Sequence, residues 1–170
     1  MNAKWLGILL VCLLPACLPA TAAPDHATAN PTPISQPEST TPVDPELRQF
    51  ADEYLALRTV PGQFSGGSWH DDVDRWEGPK HSAMLALGAR LSSGDFSCVQ
   101  LTDLLQQPDH IVEGGDPLHE LIQTLPVYAT PPQASNVQYL VYEWRGTHDF
   151  LFFVCEDGRI TTSDWWYAGE

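Results

Sequence analysis

The sequence is poor in basic residues. Its 170 residues include 8 Lys and Arg against 22 Asp and Glu, which gives a formal net charge of −14 at pH 7. A field of this sign repels phosphate backbones and anionic lipid headgroups. The shortage of positive charge therefore argues against nucleic-acid binding, and it is compatible with cationic partners without identifying one.

Long hydrophobic runs are also missing. The longest apolar run lies near the start of the chain, from Trp5 to Leu14, after one early charge at Lys4. About ten apolar residues are too few to span a bilayer, which takes roughly 18 to 20, but they suit the core of an export signal. The sequence thus predicts an exported protein without a membrane-spanning helix.

The end of the export signal can be read in two ways. Residues 14–17 read Leu-Pro-Ala-Cys and are similar to a lipobox, which predicts removal of residues 1–16 and lipidation of Cys17. The alternative is ordinary cleavage after Ala22, in an A-x-A pattern, which discards Cys17. The first predicts a cell-envelope protein, in the outer membrane or periplasm, that touches the membrane through its lipid anchor only. The second predicts a secreted protein.

Cysteine is scarce and forms no motif. Apart from Cys12 and Cys17, at the signal, the chain contains only Cys98 and Cys155. There is no C-x-x-C, so neither thioredoxin-like chemistry nor a zinc knot is indicated. Two cysteines in an exported domain predict a disulfide, worth roughly 3 to 4 kcal/mol by the chain-entropy model. The alternative is two separately buried thiols.

The chain divides into three parts. Residues 17–44 are rich in Pro, Thr, Ser and Ala and have no Lys, Arg or hydrophobic periodicity, which predicts a disordered tether after the signal. Residues 45–170 are predicted to form a single globular domain. Its first half has helical apolar spacing and capping residues, which predict helices over residues 45–58, 80–91, 97–107 and 118–125.

Three strands are predicted at the end of the chain. Residues 137–144, 149–156 and 160–167 are dense in β-branched and aromatic side chains, and Asp157-Gly158 supplies a tight turn. The expected fold class is α+β, with N-terminal helices packed on a C-terminal three- to four-stranded antiparallel β-meander.

The middle strand is apolar on both faces. Its alternate residues form two apolar sets: Phe150, Phe152 and Val154, and Leu151, Phe153 and Cys155. Both faces therefore need cover. Helices can cover one face, and the other requires the 109–130 segment, the first helix or another molecule. The last option predicts a binding surface.

This pattern resembles an outer-membrane assembly lipoprotein family, small protein A (SmpA/OmlA, BamE-like). The resemblance covers roughly residues 80–162 and depends on hydrophobic and turn residues, with Gln107 where the family usually has glycine. The matching residues are Val99, Leu104, Leu105, Pro108, Asp109, Tyr139, Tyr142, Phe153, Asp157, Gly158 and Ile160. The resemblance implies two helices packed on a three-stranded antiparallel sheet, and a protein partner in the envelope.

Aromatic residues of the predicted strands form the candidate binding surface. They are Tyr142, Trp144, Trp165, Trp166 and Tyr167. Neighbouring strand residues face opposite sides, so the two adjacent tryptophans should point apart. Such aromatics could bind a sugar or a peptide, or they could stabilise the sheet by cross-strand packing.

A metal site is only weakly indicated. Residues 70–81 are rich in acidic residues and histidine, and His70, Asp72 and Asp74 are the weak candidate ligands. The glycine and terminal glutamate of a calcium loop are missing, and no H-x-x-x-H spacing is present. We therefore expect no metal and no cofactor. In the alternative reading this is a turn-rich loop in which Trp69 and Trp76 pack on the core.

No complete catalytic motif is present. There is no G-x-S-x-G, and the Thr147-His148-Asp149 sequence is expected to form a hairpin turn. The sequence therefore predicts a non-enzymatic protein-interaction module with an unidentified envelope protein partner. Two alternatives stay open: an exported enzyme or metal-dependent module using the His70–His81 loop, or a secreted inhibitor.

Overall fold

The structure is a computed structural model that describes residues 41–129 and 136–169. The predicted export signal, Cys17 and most of the predicted tether lie outside these ranges. The last tether residues are described, and they are attached to the domain. Thr41 Oγ1 donates to the Asp95 carbonyl at 2.9 Å, and Val43 packs on the core. Residues just before the predicted start at Pro45 therefore contact the domain.

The predicted helices form close to their expected bounds. The described residues contain α1 (Pro45–Arg58), α2 (Asp71–Asp74), α3 (Pro79–Leu91), α4 (Cys98–Leu105) and α5 (Pro117–Gln123), with a 3₁₀ turn at Gln63–Ser65. Asp44 is one of the capping residues, since its carboxylate accepts from the backbone N–H of Leu47 at the start of α1. None of the helices in the described ranges is both long and apolar enough to cross a membrane.

Four antiparallel strands form one sheet. They are β1 (His110–Val112), β2 (Val137–Glu143), β3 (Asp149–Glu156) and β4 (Arg159–Tyr167), and they lie in the order β1-β2-β3-β4. Cross-strand partners fix the register, for example Leu151 opposite Trp165. The α+β prediction is confirmed. The short β1 strand was not predicted as a strand, and it precedes α5.

Helices α1, α3 and α4 cover the first face of the sheet. Their apolar residues pack with those of the strands, and the cluster is centred on Leu87, Leu101, Leu151 and Phe153, each at most 1% exposed. A disulfide joins Cys98, at the start of α4, to Cys155 of β3, with their Cα atoms 6.0 Å apart. The predicted disulfide is therefore present in the fold.

Helix α5 and the residues after it cover the second face. Leu118 and Ile122 of α5 and Tyr128 pack on Phe150 and Phe152 of β3 in a second apolar cluster. Helix α1 lies on the other face, so the 109–130 segment supplies this cover. Of the three possible sources of cover, the 109–130 segment is therefore the one that the fold uses, and a binding surface for another molecule on this face of β3 is not supported.

Candidate functional site

The last strand sends its aromatic side chains to both faces of the sheet. Trp165 and Tyr167 pack against the first cluster, and Trp166 packs against the second. This confirms that the adjacent tryptophans point apart. The Trp165 and Tyr167 rings are stacked, with centroids 5.3 Å apart and planes 2° from parallel. The two rings therefore form one aromatic layer at the end of β4.

Trp76, just before α3, and His81, within α3, complete this layer. His81, in the first turn of α3, is completely buried, and its ring lies 4.4 Å from Trp76 and 4.2 Å from Trp144. Trp76 also packs on Tyr167, at 5.1 Å between centroids. We call the rings of Trp76, His81, Trp144, Trp165 and Tyr167 the aromatic cluster. Most of it is inside the fold, but Trp76 is 52% exposed.

His81 fixes the backbone next to Trp76. Its Nδ1 accepts a hydrogen bond from the Glu77 backbone N–H at 3.0 Å. Glu77 has φ of 56°, a left-handed conformation that is uncommon for a residue with a side chain. Burial, with a contribution from Arg145, lowers the pKa of His81 to about 4. The imidazole is therefore neutral at neutral pH and holds this turn as an acceptor.

The hydrogen bond from Glu77 to His81 also determines the direction of the hydrogen bond between His81 and Tyr167. Because Nδ1 of His81 accepts, the ring proton must be on Nε2, which lies 3.3 Å from the Tyr167 hydroxyl. The hydroxyl oxygen therefore accepts from His81 and keeps its own hydrogen for another acceptor. Burial, followed by nearby Asp149 and Asp164, raises the pKa of Tyr167 to about 12, so the hydrogen is retained.

A buried ion pair lies beside the aromatic cluster. Arg145 and Asp149 are 9% and 3% exposed, and their nearest side-chain atoms are 3.4 Å apart. Arg145 Nε also donates to the Asp74 carbonyl at 2.9 Å, and the guanidinium lies 4.0 Å from the Trp144 ring centroid. Asp149 accepts from the Ala168 backbone N–H at 3.1 Å. Both charges are thus paired and bonded within the fold.

These groups surround a cleft of about 380 Å³. It is lined by Trp76, Arg145, Asp149, Tyr167 and Gly169, and we call it the Trp76–Tyr167 cleft. The volume falls within the range of small-ligand pockets. The lining combines two aromatic rings, one of them the half-exposed Trp76, with a paired arginine and aspartate. The cleft is suited to holding an uncharged group against the rings.

Only part of the predicted aromatic surface is available to a ligand. Tyr142 and Trp144 are each 1% exposed, and their polar atoms are bonded inside the fold, to the carbonyls of Gln106 and Val73. They cannot be contact residues, because other parts of the chain cover them. Trp166 lies on the other face of the sheet. Of the predicted set, Tyr167 lines the cleft.

Trp144 and Trp165 support the cleft without lining it. Trp165 contacts His81 at 5.1 Å and Trp144 at 6.2 Å between ring centroids, and it is stacked on Tyr167. Trp144 in turn contacts Trp76 at 5.7 Å. The two indoles thus hold the lining rings in position from inside the fold.

The weak metal candidates do not converge. Asp74 is buried, and its Oδ2 accepts from the backbone N–H groups of Gln63 and His70, which makes it an organiser of the loop. The side chains of His70 and Asp72 are exposed. Across residues 41–129 and 136–169, no three His, Cys, Asp or Glu side chains lie close enough together to hold a metal ion.

The turn-rich reading of this loop is partly corrected. Trp69 and Trp76 were expected to pack on the core, but they are 51% and 52% exposed. Trp69 donates its indole N–H to Asp71 at 2.7 Å, whereas Trp76 packs against the rings of His81, Trp144 and Tyr167. The two tryptophans therefore have equal exposure in different surroundings.

The cleft could not be predicted from the sequence. The sequence places Trp76 and His81 in one acidic stretch and Asp149 beside a turn, and no motif marks Arg145. The His81 and Tyr167 side chains meet although they are 86 positions apart. The sequence does show that aromatic residues are frequent around positions 69–81, 144 and 165–167. No sequence rule, however, predicts that these three stretches lie together in the fold.

No protein-family model, curated protein or solved structure matches the chain. The resemblance to small protein A therefore stays a prediction.

Proposed function

We propose that the protein is an exported, lipid-anchored component of the cell envelope that acts without catalysis as a protein-interaction module. Its partner binds in the Trp76–Tyr167 cleft. The observation that carries this proposal is a half-exposed tryptophan that packs against neighbouring rings and lines a cleft of about 380 Å³.

The composition of the cleft supports a binding role. Tryptophan, tyrosine and arginine are the residues that most often dominate the energy of protein interfaces. Trp76, Tyr167 and Arg145 line this cleft together. The rings are already held by packing, and Glu77 by its bond to His81, so a partner need not order them on binding. Such preorganisation favours affinity.

The location in the envelope is proposed from the start of the sequence. The short apolar run and the Leu-Pro-Ala-Cys sequence at residues 14–17 support export followed by lipidation of Cys17. Mass spectrometry of the N-terminal peptide is expected to detect an acylated Cys17. A mature chain that begins at Ala23 would remove the anchor from the proposal and leave a secreted binding protein.

Site-specific photocrosslinking in cells tests the cleft as the partner site. A photoreactive amino acid at Ala168, an exposed position between Tyr167 and Gly169, is expected to form an adduct with an exported protein. The same crosslinker at Ile111, which is 52% exposed on β1, serves as the position control.

The deciding comparison uses two matched tryptophan variants. Trp76→Ala is expected to abolish the adduct formed at position 168, whereas Trp69→Ala, which removes an equally exposed indole outside the cleft, should leave it unchanged. An adduct that survives Trp76→Ala, or one that forms equally at Ile111, would contradict the proposal.

A further inference from the structure

The rim of the Trp76–Tyr167 cleft offers hydrogen-bond donors. The Tyr167 hydroxyl accepts from His81 and so has its hydrogen left to donate. The Trp76 indole N–H can only donate, and it makes no hydrogen bond with the described part of the chain, unlike the indoles of Trp69 and Trp144. A ligand that matches this rim must present acceptors.

The described lining of the cleft leaves little for a hydroxyl-rich ligand. The Asp149 carboxylate already accepts from the Ala168 N–H and is paired with the Arg145 guanidinium. A sugar hydroxyl needs acceptors as well as donors, and this carboxylate, the charged acceptor among the described lining residues, is already engaged. A saccharide would stack on the rings but leave much of its hydrogen bonding unmatched.

Charge narrows the ligand further. The net charge of −14 disfavours an anionic group, and the Asp149 carboxylate in the described lining is already paired with Arg145 and is not free to hold a cationic one. The paired Arg145 and Asp149 add no net charge to the cleft. An uncharged ligand with an apolar face and exposed acceptors is the one that fits.

A proline-containing peptide has these properties. In the polyproline II conformation the backbone makes no internal hydrogen bonds, so its carbonyls are available as acceptors, and proline has no N–H that needs a partner. Its rings are apolar and pack on aromatic grooves, which is how several recognition domains bind such segments. The Trp76 and Tyr167 rings, at 51° to each other, form an angled aromatic surface of this kind.

We infer that the partner presents an uncharged, proline-containing segment in the polyproline II conformation to the Trp76–Tyr167 cleft. This inference depends on the proposed function, because it specifies the chemistry of the partner bound at the same site. The segment packs proline rings on Trp76 and Tyr167, and its carbonyls accept from the Trp76 indole and the Tyr167 hydroxyl.

Peptide titration of the purified exported protein tests the inference. Decaproline is the probe, with a glycine-serine decapeptide and maltohexaose for comparison, and binding is followed by calorimetry. Decaproline is expected to bind saturably and at least tenfold more tightly than either comparison ligand. Equal affinity for the glycine-serine peptide, or binding of maltohexaose in preference to decaproline, would overturn the inference.

Three variants locate the binding. Trp76→Ala is expected to weaken decaproline binding at least tenfold, and Trp69→Ala should leave it within twofold. Tyr167→Phe keeps the ring and removes one donor, which should weaken binding about two- to tenfold. Thermal unfolding of each variant checks that the fold is retained. Equal losses for Trp76→Ala and Trp69→Ala would refute the assignment.

The titration and the crosslinking experiment separate two kinds of failure. If decaproline does not bind while the adduct at position 168 still requires Trp76, the cleft binds a protein by other chemistry and only the inference fails. If the adduct is also independent of Trp76, the proposed function fails with it.

Discussion

Lowering the pH from 7.5 to 5 is expected to destabilise the protein through His81. Burial holds the pKa of this imidazole at about 4 in the folded state, compared with 6.5 when it is free. Arg145, from the β2–β3 turn, lowers the pKa further, and Asp149 of β3 opposes both effects. Protonation would also break the hydrogen bond that Nδ1 accepts from Glu77.

The sign and size of the effect follow from proton linkage. The folded pKa is depressed, so below pH 6.5 the unfolded chain binds a proton that folded His81 does not, and stability falls as the pH drops towards 4. A pKa of about 4 corresponds to a loss of about 2 kcal/mol at pH 5. Because the neighbouring Trp76 is half exposed, we expect about 1–2 kcal/mol.

Urea unfolding followed by tryptophan fluorescence, at several pH values from 7.5 to 5, measures this loss. Other groups also titrate in this range, so the comparison is with His81→Asn, which retains an acceptor near the Nδ1 position but does not titrate. The variant should be less stable throughout, because it leaves a cavity, but its loss between pH 7.5 and 5 should be about 1–2 kcal/mol smaller. Equal losses in the two proteins would refute the reasoning.

Two further predictions test the packing of the fold. Replacing Cys98 and Cys155 by serine removes a crosslink with a sequence separation of 57, and it should lower the free energy of unfolding by about 3–4 kcal/mol in chemical denaturation. Ile122→Ala should cost about 2–5 kcal/mol, because this fully buried residue holds α5 on the second face of the sheet. Ile111→Ala, at a 52% exposed position, should cost less than about 0.5 kcal/mol, and equal costs would show that α5 does not cover that face.

Much of the fold could be predicted from local sequence signals. Asp44 and Pro45 mark the start of α1, and the alternation of strand residues determines which rings share a face. The two shortest elements, β1 and α2, were not predicted. The β1 strand has three residues and α2 has four, too few for a periodic pattern, and they form through tertiary contacts such as the pairing of Ile111 with Leu140.

The covering of the second face shows where sequence reasoning stops. The sequence indicates that both apolar faces of β3 need cover, and the 109–130 segment is one of three candidates to cover the second face. Choosing among them requires knowing that β1 pairs with β2, which places α5 over Phe150 and Phe152. The cleft was unpredictable for the same reason, because it depends on where α3 docks on β4.

The most direct test of the central claim is the set of indole N–H signals in an NMR spectrum of the ¹⁵N-labelled exported protein. On addition of decaproline, the Trp76 signal is expected to shift most, because its indole N–H would gain an acceptor. The Trp69 signal should stay in place, since its N–H is already bonded to Asp71. A shift at Trp69 with none at Trp76, or no indole shift at saturating peptide, would contradict the account.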